Sequence, residues 1–330
     1  MNANSETLLS VKNLVVESTS DGKTRHAVNN SSLEIEKGTT LGLVGETGAG
    51  KTTIAKAILG ILPDPPAKLR GGEVIFNGQD LLKLSEKEML EIQGNKISMV
   101  FQDPMTALNP TMTIGAQIAD GIMLHDHTGK VAAIKKAKQM LEMVGIPSTR
   151  FSEYPHQFSG GMKQRVIIAI ALACNPELLL ADEPTSALDV TIQAQVLELI
   201  SDLKAKHNTS MLLITHDLGV VAETCDNVAV IYAGEIVEYG NKYELFGNPS
   251  HPYTKGLFGS LPHMAKGEKR LHPISGMMPN PAKLPTGCKF HPRCPHATEE
   301  CACTDVPLVN IDGTHTCRCL LYAGAAAEVK

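Results

Sequence analysis

The segment Gly45-Glu46-Thr47-Gly48-Ala49-Gly50-Lys51-Thr52 constrains this chain more than any other, because it fits GxxxxGK[ST] in a context that gives the pattern meaning. Ahead of it, Thr40 to Val44 reads as a compact apolar strand; behind it, Thr52 to Leu62 reads as a helix stopped by Pro63. A strand that passes through a glycine-rich turn into a helix aims successive backbone N–H groups at one point, and the helix N-terminus adds partial positive charge there. Such a turn cradles phosphates. Lys51 is placed to reach the β- and γ-phosphates of a nucleotide and the Thr52 hydroxyl to join Mg²⁺.

The remaining pattern is that of an α/β protein. Leu8 to Val16 and Ala27 to Ile35 alternate around an Asp21-Gly22 turn, an antiparallel start. Buried-type strands are predicted at Ile97 to Phe101, Leu178 to Ala181, Met211 to Thr215 and Val228 to Tyr232, with helical stretches between them, which makes the sheet largely parallel. From about residue 102 to 175 the periodicity is helical, with Gly115 to Leu124, Lys130 to Val144 and Gly161 to Ala173 as candidate helices. After about Phe246 the composition turns to Pro, His and Cys, and an appendage begins.

Leu178 to Asp182-Glu183 is an apolar strand ending in two carboxylates, where a nucleotide hydrolase needs a metal-ordering group and a water-orienting group side by side. Asp182 is the candidate for Mg²⁺, through water, and Glu183 for polarising the attacking water. The net charge of -5 excludes a general basic field for nucleic acid or anionic lipid, so a polyanion must be held locally. Met1 to Ser10 is polar and does not read as a secretory signal. The longest apolar run, Val166 to Cys174, is about half of the roughly 20 residues that cross a bilayer, so any membrane span is expected in partner chains.

Phe158-Ser159-Gly160-Gly161-Met162-Lys163-Gln164-Arg165 resembles the signature motif of the ABC ATPases, in which a Ser-Gly-Gly turn opening a helix grips the ATP of the opposite subunit. The resemblance extends to Gln102 as the glutamine touching Mg²⁺ and the attacking water, to Ser186-Ala187-Leu188-Asp189 as the loop crossing the dimer interface, and to His216 as the histidine at the γ-phosphate. It implies a nucleotide site of Gly45 to Thr53 with Ser159, Gly160, Gly161, Met162 and Asp189, catalysis by Glu183, His216 and Gln102, and Mg²⁺ held by Thr52, Gln102 and Asp182. Thr47, Gly48, Ala49, Gly50 and Thr53 enter through the loop. Two departures stand out. Met162 replaces the usual Gln, a variant familiar from peptide importers, and Ser18 occupies the place of an adenine-stacking aromatic, leaving Arg25 or His26 to cover the base.

Asn248-Pro249-Ser250-His251-Pro252-Tyr253-Thr254 and the cysteines beyond it resemble the C-terminal extension of oligopeptide and dipeptide importer ATPases, in particular the first of their two ATPase subunits. The implied fold is α/β: a P-loop NTPase with a RecA-like core, an antiparallel β subdomain and a helical subdomain, plus a small Cys-rich C-terminal extension. The implied domains are an ABC nucleotide-binding domain at 1–246, with its helical subdomain at about 102–175, and the extension at 247–330. Six of the eight cysteines lie between Cys288 and Cys319, at spacings that match neither zinc ribbons nor ferredoxins, so the residues alone leave a structural metal, an Fe–S cluster and free thiols open. The resemblance implies a [4Fe–4S] cluster on Cys288, Cys294, Cys301 and Cys317, with Cys303 and Cys319 as competing ligands; Cys174 and Cys225 read as core residues.

The function implied is ATP hydrolysis that energises import of di- or oligopeptides, or in the same branch nickel chelates or sugars, from the cytoplasmic face of the membrane. The partners implied are a second, related ATPase subunit, two transmembrane permease subunits and, indirectly, an extracytoplasmic peptide-binding protein, with no nucleic acid. A soluble ABC protein of repair or translation would carry paired ATPase domains or long arms, and this chain has one phosphate loop and no basic insertion. A redox-sensing, non-catalytic nucleotide binder would not need Glu183 and His216.

Overall fold

The computed structural model describes residues 6–20, 22–186, 188–259 and 274–323. In chain order its strands are β1 (Thr7–Ser20), β2 (Lys23–Glu36), β3 (Thr40–Val44), β4 (Ala67–Phe76), β5 (Gln79–Asp80), β6 (Ile97–Val100), β7 (Leu178–Asp182), β8 (Ser210–Ile214), β9 (Asn227–Tyr232), β10 (Glu235–Asn241), β11 (Val309–Asp312) and β12 (His315–Cys317). They pack as two compact units: Thr7–Ile35, Thr40–Leu82 and Ile214–Lys330 form one, and Met1–Glu6, Glu36–Thr39 and Lys83–Leu213 the other.

In the first unit, β2-β1-β4-β5 make a sheet in which β1 runs antiparallel to β4 and β4 to β5. A second set of strands follows the order β11-β12-β10-β9-β3, where β3 and β9 are parallel and the remaining neighbours antiparallel. Every residue of β3 is buried, and so are all but the first of β9, which is why both read as continuous apolar runs instead of alternating ones. The helix Lys51–Ile58 leaves β3 through the glycine-rich turn. It is shorter than the periodicity predicts: Gly60 takes a left-handed φ of 70°, and the Ile61 N–H closes back on the Lys56 carbonyl at 2.9 Å.

The second unit carries β8-β7-β6, with β6 and β7 parallel and all four residues of β6 buried. Between β6 and β7 the chain is helices and turns, chiefly Ile114–Asp126, Lys130–Met143 and Gly160–Leu172. Ile114, Ile118, Ala119 and Ile122 of the first of these are buried, the i, i+4, i+5, i+8 stripe of an amphipathic helix, each large side chain contributing about 1.5–3 kcal/mol. Among the described residues, no helix is long and apolar enough to cross a membrane.

Residues on the two sides of position 246, the expected boundary, meet within the first unit. β12 pairs with β10 in the register Glu238↔Cys317, and the fully buried Glu238 carboxylate accepts the Ser250 and His251 N–H groups at 2.6 and 2.9 Å and meets His315 Nε2 at 2.7 Å. A buried carboxylate has to be satisfied, and its donors come from both sides of that boundary. Residues Ser250 and His251 thereby tie the extension to β10.

Candidate functional site

The phosphate loop is shaped by close backbone approach. A Cβ on Gly45 would stand 2.3 Å from the Ile231 carbonyl oxygen, and one on Gly50, whose φ is 108°, 2.5 Å from that of Ala27. Only glycine fits either place. Gly50 caps the helix Lys51–Ile58, so the first-turn N–H groups face the loop without a side-chain cap. Lys51 is buried, and its ammonium donates to the carbonyls of Gly45 at 2.7 Å and Glu46 at 3.1 Å, which draws it back over the turn. Thr52 and Thr53 follow in the first turn, both half-buried. The Glu46 N–H donates to the Tyr253 hydroxyl at 2.9 Å, and its carboxylate receives the Arg293 guanidinium. Neither partner was legible in sequence, where 207 and 247 positions separate them from Glu46.

In the other unit, Asp182 ends β7 almost fully buried, and Glu183 takes a left-handed φ of 47°. A non-glycine residue pays about 1 kcal/mol for that conformation, and it ends the strand abruptly. The β6/β7 register pairs Val100 with Ala181, so the residues two positions further along each strand emerge side by side. They are Gln102 and Glu183: the Gln102 amide Nε2 donates to Glu183 Oε2 at 2.9 Å. Back in the first unit, His216 is exposed in the turn after β8, where the Asp217 N–H donates to the Thr215 hydroxyl at 3.1 Å.

Ser159 caps the helix Gly160–Leu172, its hydroxyl accepting from the Met162 N–H at 3.4 Å, and Asp189 caps the helix Val190–His207 through the Ile192 N–H at 3.0 Å. A Cβ on Gly161 would lie 2.8 Å from Ile192 Cγ2, so a glycine lets the two helix starts approach. With Gly160, Met162, Arg165 and Leu188 they line a cavity of about 450 Å³, room for the polyphosphate end of a ligand at a helix N-terminus. Arg150, which sequence reasoning passed over, buttresses this turn. Its guanidinium lies 4.2 Å from the Phe158 ring centre, donates to the Gln157 carbonyl at 2.9 Å and touches the Met162 sulfur at 3.3 Å. Of the expected interface loop, Ser186, Leu188 and Asp189 are described, and Ala187 lies outside the described residues.

Ser18 lies near the end of β1, paired with Ala67 of β4. Arg25 is exposed, while His26 Nδ1 stands 3.4 Å from Glu17 and the His26 N–H donates to the Pro281 carbonyl at 2.8 Å.

Four thiols, those of Cys288, Cys294, Cys301 and Cys319, line one small cavity together with His251, His291 and His296. Cys319 is the fourth thiol on that wall, where Cys317 was expected beside the other three. Cys317 is fully buried in β12, opposite Glu238, and takes no part in the cavity wall, because strand alternation turns residues two apart alike only while the strand lasts and β12 ends at Cys317. Cys303 is exposed. Burial pushes the Cys288 thiol up to about 11 and raises those of Cys294 and Cys319, so these thiols are neutral near pH 7. The set suits a soft metal in number and type. Among the described residues, though, no group of three or more His, Cys, Asp or Glu side chains is drawn close enough to hold a metal ion.

The sequence matches the ABC transporter family over residues 28–186 and the oligopeptide/dipeptide transporter C-terminal region over residues 237–301. It is 50% identical over 298 residues to the dipeptide transport ATP-binding protein DppD of Bacillus subtilis, covering 90% of this chain and 89% of that one. It is 49% identical to the oligopeptide transport ATP-binding protein OppD of Escherichia coli, covering 90% and 88%. In structure it is similar to the ATP-binding cassette MJ0796, a dimer in a post-hydrolysis state bound to ADP and Pi, with a TM-score of 0.64 and 27% identity over 71% of this chain and 98% of that one. A glycine-walled phosphate loop, a buried strand ending in Asp182-Glu183 and near full-length identity of about one half thus lead to one conclusion: the chain belongs to the ABC transporter family of ATPases, with the C-terminal region of its oligopeptide/dipeptide transporters.

Proposed function

We propose that this chain binds ATP and hydrolyses it to ADP and phosphate in order to energise the import of di- or oligopeptides. The observation that carries the hydrolytic reading is the 2.9 Å hydrogen bond from Gln102 to Glu183, which fixes the water-polarising carboxylate beside the buried Asp182. Its support for peptides as cargo is the whole-length likeness to dipeptide and oligopeptide transport ATP-binding proteins.

In this reading the N–H groups of Gly45 to Thr53 and the Lys51 ammonium hold the β- and γ-phosphates, the Mg²⁺ that accompanies ATP being assigned to Thr52, Gln102 and Asp182. Lys51 gives up its bonds to the Gly45 and Glu46 carbonyls when phosphate oxygens arrive, exchanging neutral acceptors for charged ones. Glu183 orients the attacking water and takes its proton as the in-line displacement proceeds, and His216 is assigned to the γ-phosphate. Ser159, Gly160, Gly161, Met162 and Asp189 bind the triphosphate of a second ATPase subunit, so that nucleotide closes the pair and its hydrolysis releases it. That second subunit is a related chain, and both work on two permease subunits at the cytoplasmic face of the membrane, downstream of an extracytoplasmic peptide-binding protein.

The thiols of Cys288, Cys294, Cys301 and Cys319 are proposed as the ligand set of a structural [4Fe–4S] cluster, on the strength of their common cavity wall. It would staple a lobe with little apolar surface of its own. Loading it requires the thiols to lose their protons and draw together.

Affinity purification of the tagged chain from its native membrane tests the whole reading. Two multi-span proteins and a sister ATPase should co-purify, and the complex should hydrolyse ATP faster with a peptide-loaded binding protein. Purification without membrane subunits, or turnover indifferent to peptide, refutes it.

A further inference from the structure

Glu46, the second residue of the phosphate loop, puts a carboxylate beside the place meant for a polyanion. Alone it would oppose that ligand. It is met by a residue from far along the chain: Arg293 Nη1 donates to Glu46 Oε2 at 2.7 Å and Nη2 to Glu46 Oε1 at 3.1 Å, a two-pronged pairing. The guanidinium is itself held. Its Nη1 also reaches the Tyr232 hydroxyl at 3.2 Å, and its Nε donates to the Ser275 carbonyl at 2.9 Å. It lies 5.7 and 5.9 Å from the ring centres of Tyr232 and Phe290. Its side chain is 5% exposed and that of Glu46 29%, so the arginine end of the pair is shielded while the carboxylate keeps part of its contact with water.

A second tie acts on the same loop residue. The Glu46 N–H donates to the Tyr253 hydroxyl, and Tyr253 packs against Tyr232 and Phe290 with ring centres 4.6 and 5.4 Å apart. Backbone and side chain of Glu46 are thus both fixed by residues beyond 246, on a rigid aromatic base. Arg293 ends the short turn His291–Arg293, immediately before Cys294 of the thiol cavity.

We propose that Arg293 is a positioning residue of the ATP site: by neutralising and clamping Glu46 it sets the phosphate loop for nucleotide, which makes the C-terminal extension a working part of that site. The inference rests on residues 45–52 being the ATP-binding loop. It assigns Arg293 a role through Glu46, not through contact with substrate.

The test is a double-substitution cycle on the full-length chain, reading equilibrium binding of Mg-ATP and, in the assembled transporter, KM and kcat. Arg293→Ala should weaken binding about tenfold and raise KM by more than it lowers kcat. In a Glu46→Gln background the same substitution should cost less than about twofold, because no carboxylate is left to neutralise. Arg293→Lys, which keeps the charge without the fork, should recover part of the loss. An equal factor in both backgrounds, or undiminished binding by Arg293→Ala, overturns the proposal, since a purely structural arginine would act regardless of Glu46. Should Arg293→Ala not fold, Arg293→Lys in the two backgrounds gives the same reading, about threefold against none. Failure of the unaltered chain to bind Mg-ATP would instead refute the loop assignment itself.

Discussion

His251 offers a quantitative test of how the extension is bound into the fold. The residue is 1% exposed, its ring Nδ1 accepts the Tyr253 N–H at 3.0 Å, and its backbone N–H donates to the buried Glu238 carboxylate at 2.9 Å. Burial lowers its pKa from 6.5 to about 4, the nearby Glu238 charge only partly offsetting the loss of solvent. Below pH 6.5 the unfolded chain therefore takes a proton that the folded chain refuses, and stability falls as pH drops from about 6.5 to about 4, then levels. At about 1.4 kcal/mol per pH unit the loss amounts to about 3 kcal/mol. His251→Asn keeps an acceptor near the Tyr253 N–H and removes the titration. Urea unfolding of both proteins at pH 7.5 and pH 4.5 should show native stability falling about 3 kcal/mol more than that of the variant. Equal losses would mean that His251 protonates freely in the fold and that the ring does not sit in the buried cluster.

Three further outcomes follow from the same geometry. Gly50→Ala combines a φ of 108° with a Cβ placed 2.5 Å from the Ala27 carbonyl, so it should destabilise by about 2–4 kcal/mol and weaken Mg-ATP binding more than tenfold; an unchanged melting temperature contradicts the close approach. Gln102→Ala removes the orienting donor of Glu183 and should lower kcat roughly 10- to 100-fold with a smaller change in nucleotide affinity, measured as steady-state phosphate release. After anaerobic purification, Cys319→Ser should abolish bound iron and sulfide and Cys317→Ser should keep them, because only Cys319 lines the thiol cavity; the reverse pattern returns the fourth ligand to Cys317, and zinc without iron rejects the cluster.

The elements proposed to bind phosphate were legible because each is local. β3 and β7 are unbroken apolar runs leading into the candidate site residues, and their observed ends, Val44 and Asp182, fall within one residue of those read from sequence. β4 was not read as a strand. Its Arg70-Gly71-Gly72 interior looks like a turn, yet Gly72 is there because the β1 backbone passes so near that a Cβ would stand 2.7 Å from Leu14 Cα, where the β1/β4 register shifts. β10 was hidden by Glu235 and Glu238. A charged residue normally marks an exposed position, and the partners that let Glu238 be buried lie on β12 and in the Ser250-His251 turn. Arg293 and Tyr253 escaped as partners of Glu46 because sequence shows which residues could pair, and the packing of distant segments decides which do. That Cys319 and not Cys317 lines the thiol cavity could not be read from sequence, since two residues of spacing carry no information about where β12 stops.

The claim on which the mechanism depends is that Glu183 activates the attacking water while taking little part in holding nucleotide. The direct measurement is single-turnover ATP hydrolysis by the assembled transporter with Glu183→Gln, alongside Mg-ATP binding by the same protein. The substitution keeps the shape and the hydrogen bond to Gln102 but cannot accept a proton, so hydrolysis should fall about 10²- to 10⁴-fold with ATP retained in a stable closed pair. Hydrolysis at the unaltered rate, or loss of nucleotide binding in step with loss of turnover, would contradict it.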